Sequence, residues 1–281
     1  MNPRILTDNH IEQFKQHLVS GEKSLHTIEK YVRDVRAFTA FLDRRAVTKE
    51  LAVAFKQTLL DSGYATASIN SMLASLGSLF AFLGWHDCKV KAVKRQRQIF
   101  CSEEKELTKA EYLRLLNAAQ QKKNDRLNLI LQTICGTGIR VSELEFITVE
   151  AATAGQATVK CKGKVRTVFL VRALQKKLLR YAKERRITTG SIFITRSGKP
   201  VSRTNIWREM KALCEAANVD PKKVFPHNLR HLFARTFYAL EKDIAKLADI
   251  LGHSSIDTTR IYIVSTGAEH RRRMENLRLV I

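Results

Sequence analysis

The chain has few of the features that mark secreted, membrane or disulfide-bonded proteins. Its five cysteines are widely spaced and form no CxxC pair, so we expect neither a disulfide framework nor a zinc knuckle. No apolar run approaches the length of a membrane span, and the N-terminal MNPRILTDNHIEQF lacks the apolar stretch of a secretion signal. These absences predict a cytoplasmic protein with reduced cysteines and no membrane partner.

Motifs of the common metal- and nucleotide-dependent enzymes are also missing. We find no P-loop, no nicotinamide-type glycine fingerprint and no paired carboxylates suited to Mg²⁺. A nuclease of the two-metal kind needs such carboxylates, because they hold the ions that stabilise the attacking and leaving oxygens. We therefore expect no metal and no other cofactor.

Acidic residues are scarce relative to basic ones. The 281 residues include 49 Lys and Arg against 27 Asp and Glu, which gives a formal net charge of +22. Such a surplus concentrates polyanions, and nucleic acids are the commonest polyanions in a cell. An anionic membrane would call for a strongly basic amphipathic helix or a lipidation signal, and the sequence has neither.

Apolar residues recur at helical spacing in the first part of the chain, as expected for amphipathic helices. One predicted stripe comprises Ile28, Val32, Val35, Phe38 and Leu42. A second comprises Ile69, Leu73, Leu76, Phe80 and Leu83. The pattern predicts a helical domain over residues 1–88.

A basic segment follows, and we predict that residues 89–105 form a linker that contacts phosphate. The predicted DNA contacts are Lys89, Lys91, Lys94, Arg95 and Arg97. Thr108 and Glu111 match a capping box that begins the next helix, with Leu107 and Tyr112 placed as its hydrophobic staple. A second domain is therefore expected over residues 106–281.

The second region combines helical and strand patterns. A helix is predicted to stop at Gly136 and Gly138, and another to begin near Arg140. ATVKCKGKVRTVFLV predicts a β-hairpin, and helices are expected to carry His227 and Tyr262. The fold class is thus mainly α, with a small β-hairpin or sheet in the C-terminal domain.

Two histidines raise the question of a zinc site. His227 and His231 in VFPHNLRHLF are four residues apart and share one face of a predicted helix. A helical zinc site needs a third ligand, and the protease version needs glutamate directly after the first histidine. Asn228 occupies that position and no acidic cluster lies nearby, so Arg230 between the histidines indicates a phosphate ligand instead.

Four residues match the needs of chemistry at phosphorus. Arg140 and Arg230 offer planar guanidinium forks, which pair with phosphate oxygens and stabilise the extra charge of a five-coordinate centre. His253 in LGHSS is expected at the start of a helix that Ser254 caps. Nine residues later, Tyr262 supplies a phenol that can attack phosphorus. Taken singly, each is as typical of a solvated surface or a packed core.

The ordered set is more specific: GTGIRVSEL, a hairpin lysine, HNLRH, LGH, and tyrosine after TTRI. It closely resembles the tyrosine recombinase (phage integrase) family, over nearly the whole chain. The resemblance implies a helical core-binding domain and a mixed α/β catalytic domain with a C-terminal docking tail. The two-domain plan is similar to that of compact Xer-like recombinases, and Gly77 departs from the arginine common in relatives.

The resemblance also implies a role for each matching residue. Tyr262 is the expected nucleophile that forms a 3′-phosphotyrosyl link to DNA, and Arg140 and Arg230 bind the scissile phosphate. Glu143 supports Arg140, and His253 donates a hydrogen bond to the phosphate.

Three further roles complete the implied site. Lys162 of the hairpin is the expected general acid, with Lys164 as the alternative. His227 acts as general base or positions the phosphate, and His231 is a packing residue.

The implied activity is site-specific DNA recombination through a Holliday junction, without a cofactor. The expected partners are double-stranded DNA and three further copies in a homo-tetramer, with a second recombinase also possible. The apolar tail docks on its own copy or on a neighbour. A type IB topoisomerase-like enzyme that nicks and reseals, or a catalytically idle DNA-binding protein, are the alternatives.

Overall fold

The structure is a computed structural model that describes residues 4–94, 106–161, 164–262, 271 and 274–277, with the backbone alone at 161 and 164. The chain divides into two compact units, Met1–Arg97 and Gln98–Ile281. Helices dominate the described residues, and one two-stranded sheet lies in the second unit, which confirms the predicted fold class. The domain limits at residues 88 and 105 stay a prediction.

The first unit is a helical bundle. Its elements are α1 (Asp8–Ser20), α2 (Leu25–Leu42), α3 (Lys49–Asp61), α4 (Thr66–Phe82) and a 3₁₀ turn (His86–Cys88). Thr7, Ser24 and Thr48 cap the first three helices, each accepting a backbone N–H with its hydroxyl. The two predicted apolar stripes face each other across one core, in which Phe38 and Ile69 are fully buried.

The predicted linker begins against this first unit. Asn70 on α4 donates to the Val93 carbonyl at 3.0 Å and accepts from the Val93 N–H at 2.8 Å. Lys89, Lys91 and Lys94 expose their side chains beside this attachment. Two further predicted DNA contacts lie outside the described residues: Arg95 and Arg97.

The second unit contains nine described α-helices and the two strands of the sheet. In chain order these elements are α5 (Lys109–Gln121), α6 (Asp125–Thr137), α7 (Val149–Ala154), β1 (Gln156–Cys161), β2 (Lys164–Phe169), α8 (Arg172–Glu184), α9 (Arg203–Lys211), α10 (Cys214–Ala217), α11 (Pro226–Glu241), α12 (Ile244–Leu251) and α13 (Ile256–Arg260). The predicted capping box is confirmed, because Thr108 and Glu111 exchange side-chain and backbone hydrogen bonds of 2.8 and 3.1 Å. The fully buried Ile130 and Ile134 place α6 at the centre of the core.

The predicted hairpin is confirmed. β1 and β2 pair antiparallel, with Gln156 opposite Phe169 and Cys161 opposite Lys164. Val159 and Val168 are buried, so one face of the hairpin lies on the core. Lys162, the expected general acid, lies outside the described residues, as does Gly163.

The segment after Gly138 is not the predicted helix. Residues Val141–Phe146 instead form a 3₁₀ turn. The Glu143 carboxylate accepts the Arg140 backbone N–H at 2.7 Å. Arg166 on β2 also holds this carboxylate, and a contact with so distant a segment is not encoded by the local sequence.

Two expectations near the C-terminal end are also corrected. Ser255, rather than Ser254, caps α13 by accepting the Asp257 N–H at 3.2 Å. Tyr262 lies in the turn that follows α13, because this helix ends at Arg260 after five residues. The short helix holds Tyr262 close to the loop that carries His253.

Candidate active site

The Tyr262 ring is enclosed by three imidazoles. His231 lies nearest, with ring centroids 4.3 Å apart, and His253 stacks at 5.5 Å with only 12° between the planes. His227 lies at 5.8 Å, edge-on. Tyr262 is 3% exposed, so its ring is fixed by these contacts.

Arg230 connects its own helix, α11, with the end of α6 and with the end of α12. Its Nη1 donates to the Gly138 carbonyl at 2.5 Å, and its Nη2 donates to the Leu251 carbonyl at 2.7 Å. The same Nη2 lies 3.0 Å from His253 Nε2. Burial lowers the pKa of Arg230 to about 10, with the nearby charge of Arg140 as the next cause. Arg230 therefore stays a cation at neutral pH, and an anionic ligand would relieve its desolvation.

The GTGIR motif has a steric reason in the structure. Gly138 ends α6 with φ of +66°, a conformation that other residues adopt with strain. A Cβ added there would lie 2.4 Å from Phe233 Cδ1 on α11. Glycine thus lets the end of α6 approach α11 closely enough for Arg230 to reach the Gly138 carbonyl.

Arg140 presents a second guanidinium to the same region. Its Nη1 donates to Glu143 Oε1 at 3.0 Å, while 35% of its side chain is exposed to solvent. Glu143 is 1% exposed and stays ionised, because hydrogen bonds from Arg166 and Arg140 lower its pKa further than burial raises it. The Arg140 guanidinium is therefore held by Glu143 and still has surface exposed to solvent, where a ligand could bind.

Arg166 is the site residue that the sequence analysis missed. It donates to both Glu143 oxygens, at 2.7 and 2.8 Å, and its Nε donates to the Ile250 carbonyl at 3.1 Å. The available signal was strand alternation, since Arg166 shares the inward face of β2 with the buried Val168. An arginine on the core side of a strand needs a buried partner.

The three histidines of the site are neutral at pH 7. Burial and then the charge of Arg230 lower the pKa of His253 to about 4, and the same two causes, in that order, lower the pKa of His227. A guanidinium only donates, so His253 Nε2 accepts from Arg230. The ring proton is then on Nδ1, which lies 2.8 Å from the buried Thr259 hydroxyl.

His231 packs, as expected, but its packing partner is the Tyr262 ring. Its Nδ1 is buried without a hydrogen bond and lies 3.8 Å from a Glu106 oxygen. Arg235 holds that carboxylate through a bond of 2.9 Å. Burial and the adjacent His227 lower the pKa of His231 to about 4.

Of the predicted set, the structure brings together Arg140, His227, Arg230, His253 and Tyr262, with Glu143 behind Arg140. Lys164 is described by its backbone alone. In the part of the chain that the structure describes, no three His, Cys, Asp or Glu side chains are grouped to hold a metal ion. No helix within those residues is long and apolar enough to cross a bilayer.

The arrangement suits reaction at a phosphodiester. The imidazoles and Arg230 contact one phenol, and Arg140 lies close to Arg230, so a phosphate held by the two arginines would place phosphorus near the Tyr262 oxygen. Cations held in a partly dehydrated site stabilise the additional negative charge of the transition state more than they would in bulk water.

Comparison with known proteins agrees with this chemistry. The phage integrase family matches residues 105–269, and the N-terminal SAM-like domain of phage integrases matches residues 11–87. The tyrosine recombinase XerA of Thermococcus kodakarensis is 29% identical, over 96% of this chain and 95% of its own. The tyrosine recombinase XerD of Halalkalibacterium halodurans is 28% identical, over 91% and 92%.

Solved structures share the fold. A lambda integrase dimer bound to a core site superposes with a TM-score of 0.75 and 20% identity, over 94% of this chain and 96% of that one. A lambda integrase tetramer bound to a Holliday junction gives 0.74 and 21%, over 93% and 78%. Since the integrase family matches more than half of the sequence, the chain belongs to the phage integrase family and is a tyrosine recombinase.

Proposed function

We propose that this recombinase cuts and rejoins double-stranded DNA at a specific site, with Tyr262 as the nucleophile. The observation that carries the proposal is the placement of the Tyr262 ring against His227 and His253, together with the hydrogen bonds of the buried Arg230 to His253 and Tyr262. The proposed place of action is the cytoplasm.

In the first step, the Tyr262 oxygen attacks phosphorus and the bond from phosphorus to the 5′-oxygen breaks. His227, neutral because its pKa is lowered, accepts the phenol proton. Arg140 and Arg230 bind the non-bridging oxygens, and Lys162, with Lys164 as the alternative, protonates the leaving 5′-oxygen. The product is a 3′-phosphotyrosyl link and a free 5′-hydroxyl.

In the second step, a 5′-hydroxyl from another duplex attacks the phosphotyrosine and releases Tyr262. One exchanged pair of strands gives a Holliday junction, and a second exchange resolves it. The phosphotyrosine keeps the energy of the phosphodiester, so resealing needs no high-energy compound.

The test is covalent trapping on a library of nicked suicide duplexes whose central segment is randomised. Wild-type protein should form an adduct that survives denaturing electrophoresis, and sequencing the trapped DNA gives the site. Tyr262→Phe should bind the selected duplex without forming an adduct, whereas Tyr238→Phe, on α11, should form it normally. An adduct with Tyr262→Phe would refute the assignment.

Two other outcomes identify the alternatives. Adducts without strand exchange between two labelled duplexes would indicate a topoisomerase-like enzyme. Binding without adducts in the wild type would indicate a catalytically idle protein.

We further propose that four copies assemble on two duplexes. An apolar groove of about 460 Å³ lies between α5, α6, α8 and α11, with Phe233, Phe237 and the 83%-exposed Leu240 in its wall. In the tail, Met274 and Leu277 are 58% and 61% exposed. Unburied apolar groups on tail and groove favour insertion of one copy's tail into its neighbour's groove.

Mixing two defective variants tests this assembly. Deletion of residues 274–281 and Leu240→Glu should each lower strand exchange while leaving DNA binding by single copies intact. Mixed together they should recover activity, because the Leu240→Glu copies still supply tails to the open grooves of the shortened copies. No recovery would indicate that the tail docks on its own copy.

A further inference from the structure

Arg166 contacts both Glu143, which holds Arg140, and the backbone just before His253, and its side chain is largely closed to a ligand. Its side chain is 13% exposed, compared with 35% for Arg140. Building on the proposed function, we propose that Arg166 is a positioning residue for DNA cleavage: it fixes Arg140 through Glu143, and His253 through the preceding backbone.

The Glu143 carboxylate is fully occupied. Oε1 accepts from Arg140 Nη1 at 3.0 Å and Arg166 Nη1 at 2.7 Å. Oε2 accepts from the Arg140 backbone N–H at 2.7 Å and Arg166 Nη2 at 2.8 Å. The paired bonds from Arg166 prevent rotation of the carboxylate, so the contact that orients the Arg140 guanidinium is held in one geometry.

A second contact of Arg166 reaches the C-terminal end of α12, three residues before His253. Its Nε donates to the Ile250 carbonyl at 3.1 Å. Gly252 has φ of +66°, and a Cβ added there would lie 2.8 Å from Arg166 Cδ. The backbone at Gly252 therefore lies directly against the Arg166 side chain, one residue before the imidazole that stacks on Tyr262.

The position of Arg166 in β2 extends the connection to the hairpin. Arg166 pairs with Val159 across the sheet and lies four residues after Lys162, the expected general acid. One buried guanidinium thus links the hairpin to Glu143 and to the end of α12 before His253. Lysine cannot replace it, because an ammonium lacks the planar fork that makes three directed bonds at once.

The chain offers a matched control in Arg126. This arginine is also partly buried, donates to one carboxylate, Glu209, at 2.7 Å, and donates to one carbonyl, that of Ile194, at 3.2 Å. Neither partner contacts Tyr262 or its histidines in the described contacts. Arg126→Lys therefore removes a partly buried guanidinium in the same unit away from the site.

The first experiment compares single-turnover cleavage of the duplex selected by trapping. Arg166→Lys should cleave about 100-fold more slowly, as expected when a catalytic group is misplaced by about 1 Å. Its affinity for the duplex should be unchanged, and Arg126→Lys should cleave at the wild-type rate. An Arg166→Lys protein that cleaves normally, or an equal loss in Arg126→Lys, would overturn the proposal.

A double substitution tests whether Arg166 acts through Arg140. In an Arg140→Ala background, adding Arg166→Lys should slow cleavage by a smaller factor than it does in the wild type, because one of the two groups that Arg166 positions is already gone. Losses that multiply in full would mean that Arg166 does not act through Arg140, and would overturn that part of the proposal. Glu143→Gln, which keeps the side-chain shape but loses one acceptor, should slow cleavage as Arg166→Lys does; normal cleavage by it would contradict the route through Glu143.

A measurement without DNA makes the inference independent of the proposed function. The imidazole NMR signals of His253 should shift or broaden in Arg166→Lys and stay unchanged in Arg126→Lys. Unchanged His253 signals in Arg166→Lys would refute its positioning role, even if the wild type forms adducts. Altered signals with no wild-type adduct would refute the catalytic function alone.

Discussion

At the scale of single residues, burial makes the histidines around Tyr262 sensitive to acid. His231 and His253 have pKa values of about 4 in the folded protein, compared with 6.5 for an unperturbed histidine. Between these values the unfolded chain binds more protons than the folded one. The free energy of unfolding should therefore fall as pH drops from 6.5 towards 4, and should be fully retained above 6.5.

Thermal unfolding followed at several pH values measures this effect. The melting temperature of His231→Gln should depend less on pH in that window than that of the wild type. His26→Gln, a substitution of an exposed residue, should keep the wild-type dependence. Equal slopes for the wild type and His231→Gln would contradict the burial argument.

The site residues that could be predicted from sequence alone are those that lie in short, recognisable motifs of chemically reactive or charged side chains. Arg140, His227, Arg230, His253 and Tyr262 converge in the structure although four separate segments supply them. Arg166 was missed because an arginine beside a basic hairpin turn is usually solvated. Its role depends on which strand face meets Glu143, and that is decided by packing between distant segments.

At the scale of elements, Gly77 lowers the stability of α4, and no contact among the described residues requires a glycine there. It lies inside the helix, and a Cβ added there meets no atom within 4 Å. Gly77→Ala should raise the free energy of unfolding by about 0.5–1 kcal/mol, because alanine loses less backbone entropy in a helix. Gly138→Ala, with its positive φ and the Phe233 contact, should instead destabilise the protein.

Chemical denaturation of both variants checks this pair. A Gly77→Ala protein less stable than the wild type would indicate that α4 carries a contact at this position that the described residues do not provide.

Local signals predicted some elements better than others. The hairpin and the Thr108 capping box follow from turn residues and short-range hydrogen bonds, which operate within a few residues. The segment after Arg140 was predicted as an α-helix and forms a 3₁₀ turn, in which Glu143 is held by Arg166 from β2, a contact that is not encoded by the local sequence. Tyr262 was expected on a helix, but apolar spacing does not determine where α13 ends.

At the scale of the whole molecule, a net charge of +22 should make DNA binding depend steeply on salt. Each phosphate contact releases condensed counterions, so affinity should fall by on the order of 10³ or more between about 50 and 200 mM salt. Titrations on a labelled duplex at several salt concentrations measure the slope. A flat response would contradict a phosphate-dominated interface.

The same titrations test the predicted DNA contacts that the structure describes. Lys89→Gln and Lys91→Gln should each reduce the slope of log affinity against log salt by about one. Lys15→Gln should leave it unchanged, because Glu12 lies 3.3 Å from the Lys15 ammonium and offsets its charge. Unaltered slopes in the first two variants would remove these lysines from the interface.

The two backbone acceptors of Arg230, the Gly138 and Leu251 carbonyls, have an evolutionary consequence. A side chain that fastens the ends of α6 and α12 is retained by selection for folding, even in a lineage that no longer rearranges DNA. The Tyr262 hydroxyl contributes less to folding, because Arg230 keeps its backbone acceptors when the hydrogen bond to Tyr262 is lost, and phenylalanine fills the space of the ring. Descendants that lose activity should therefore discard the hydroxyl first and keep the guanidinium, so an intact arginine in a relative says little about whether that relative still cuts.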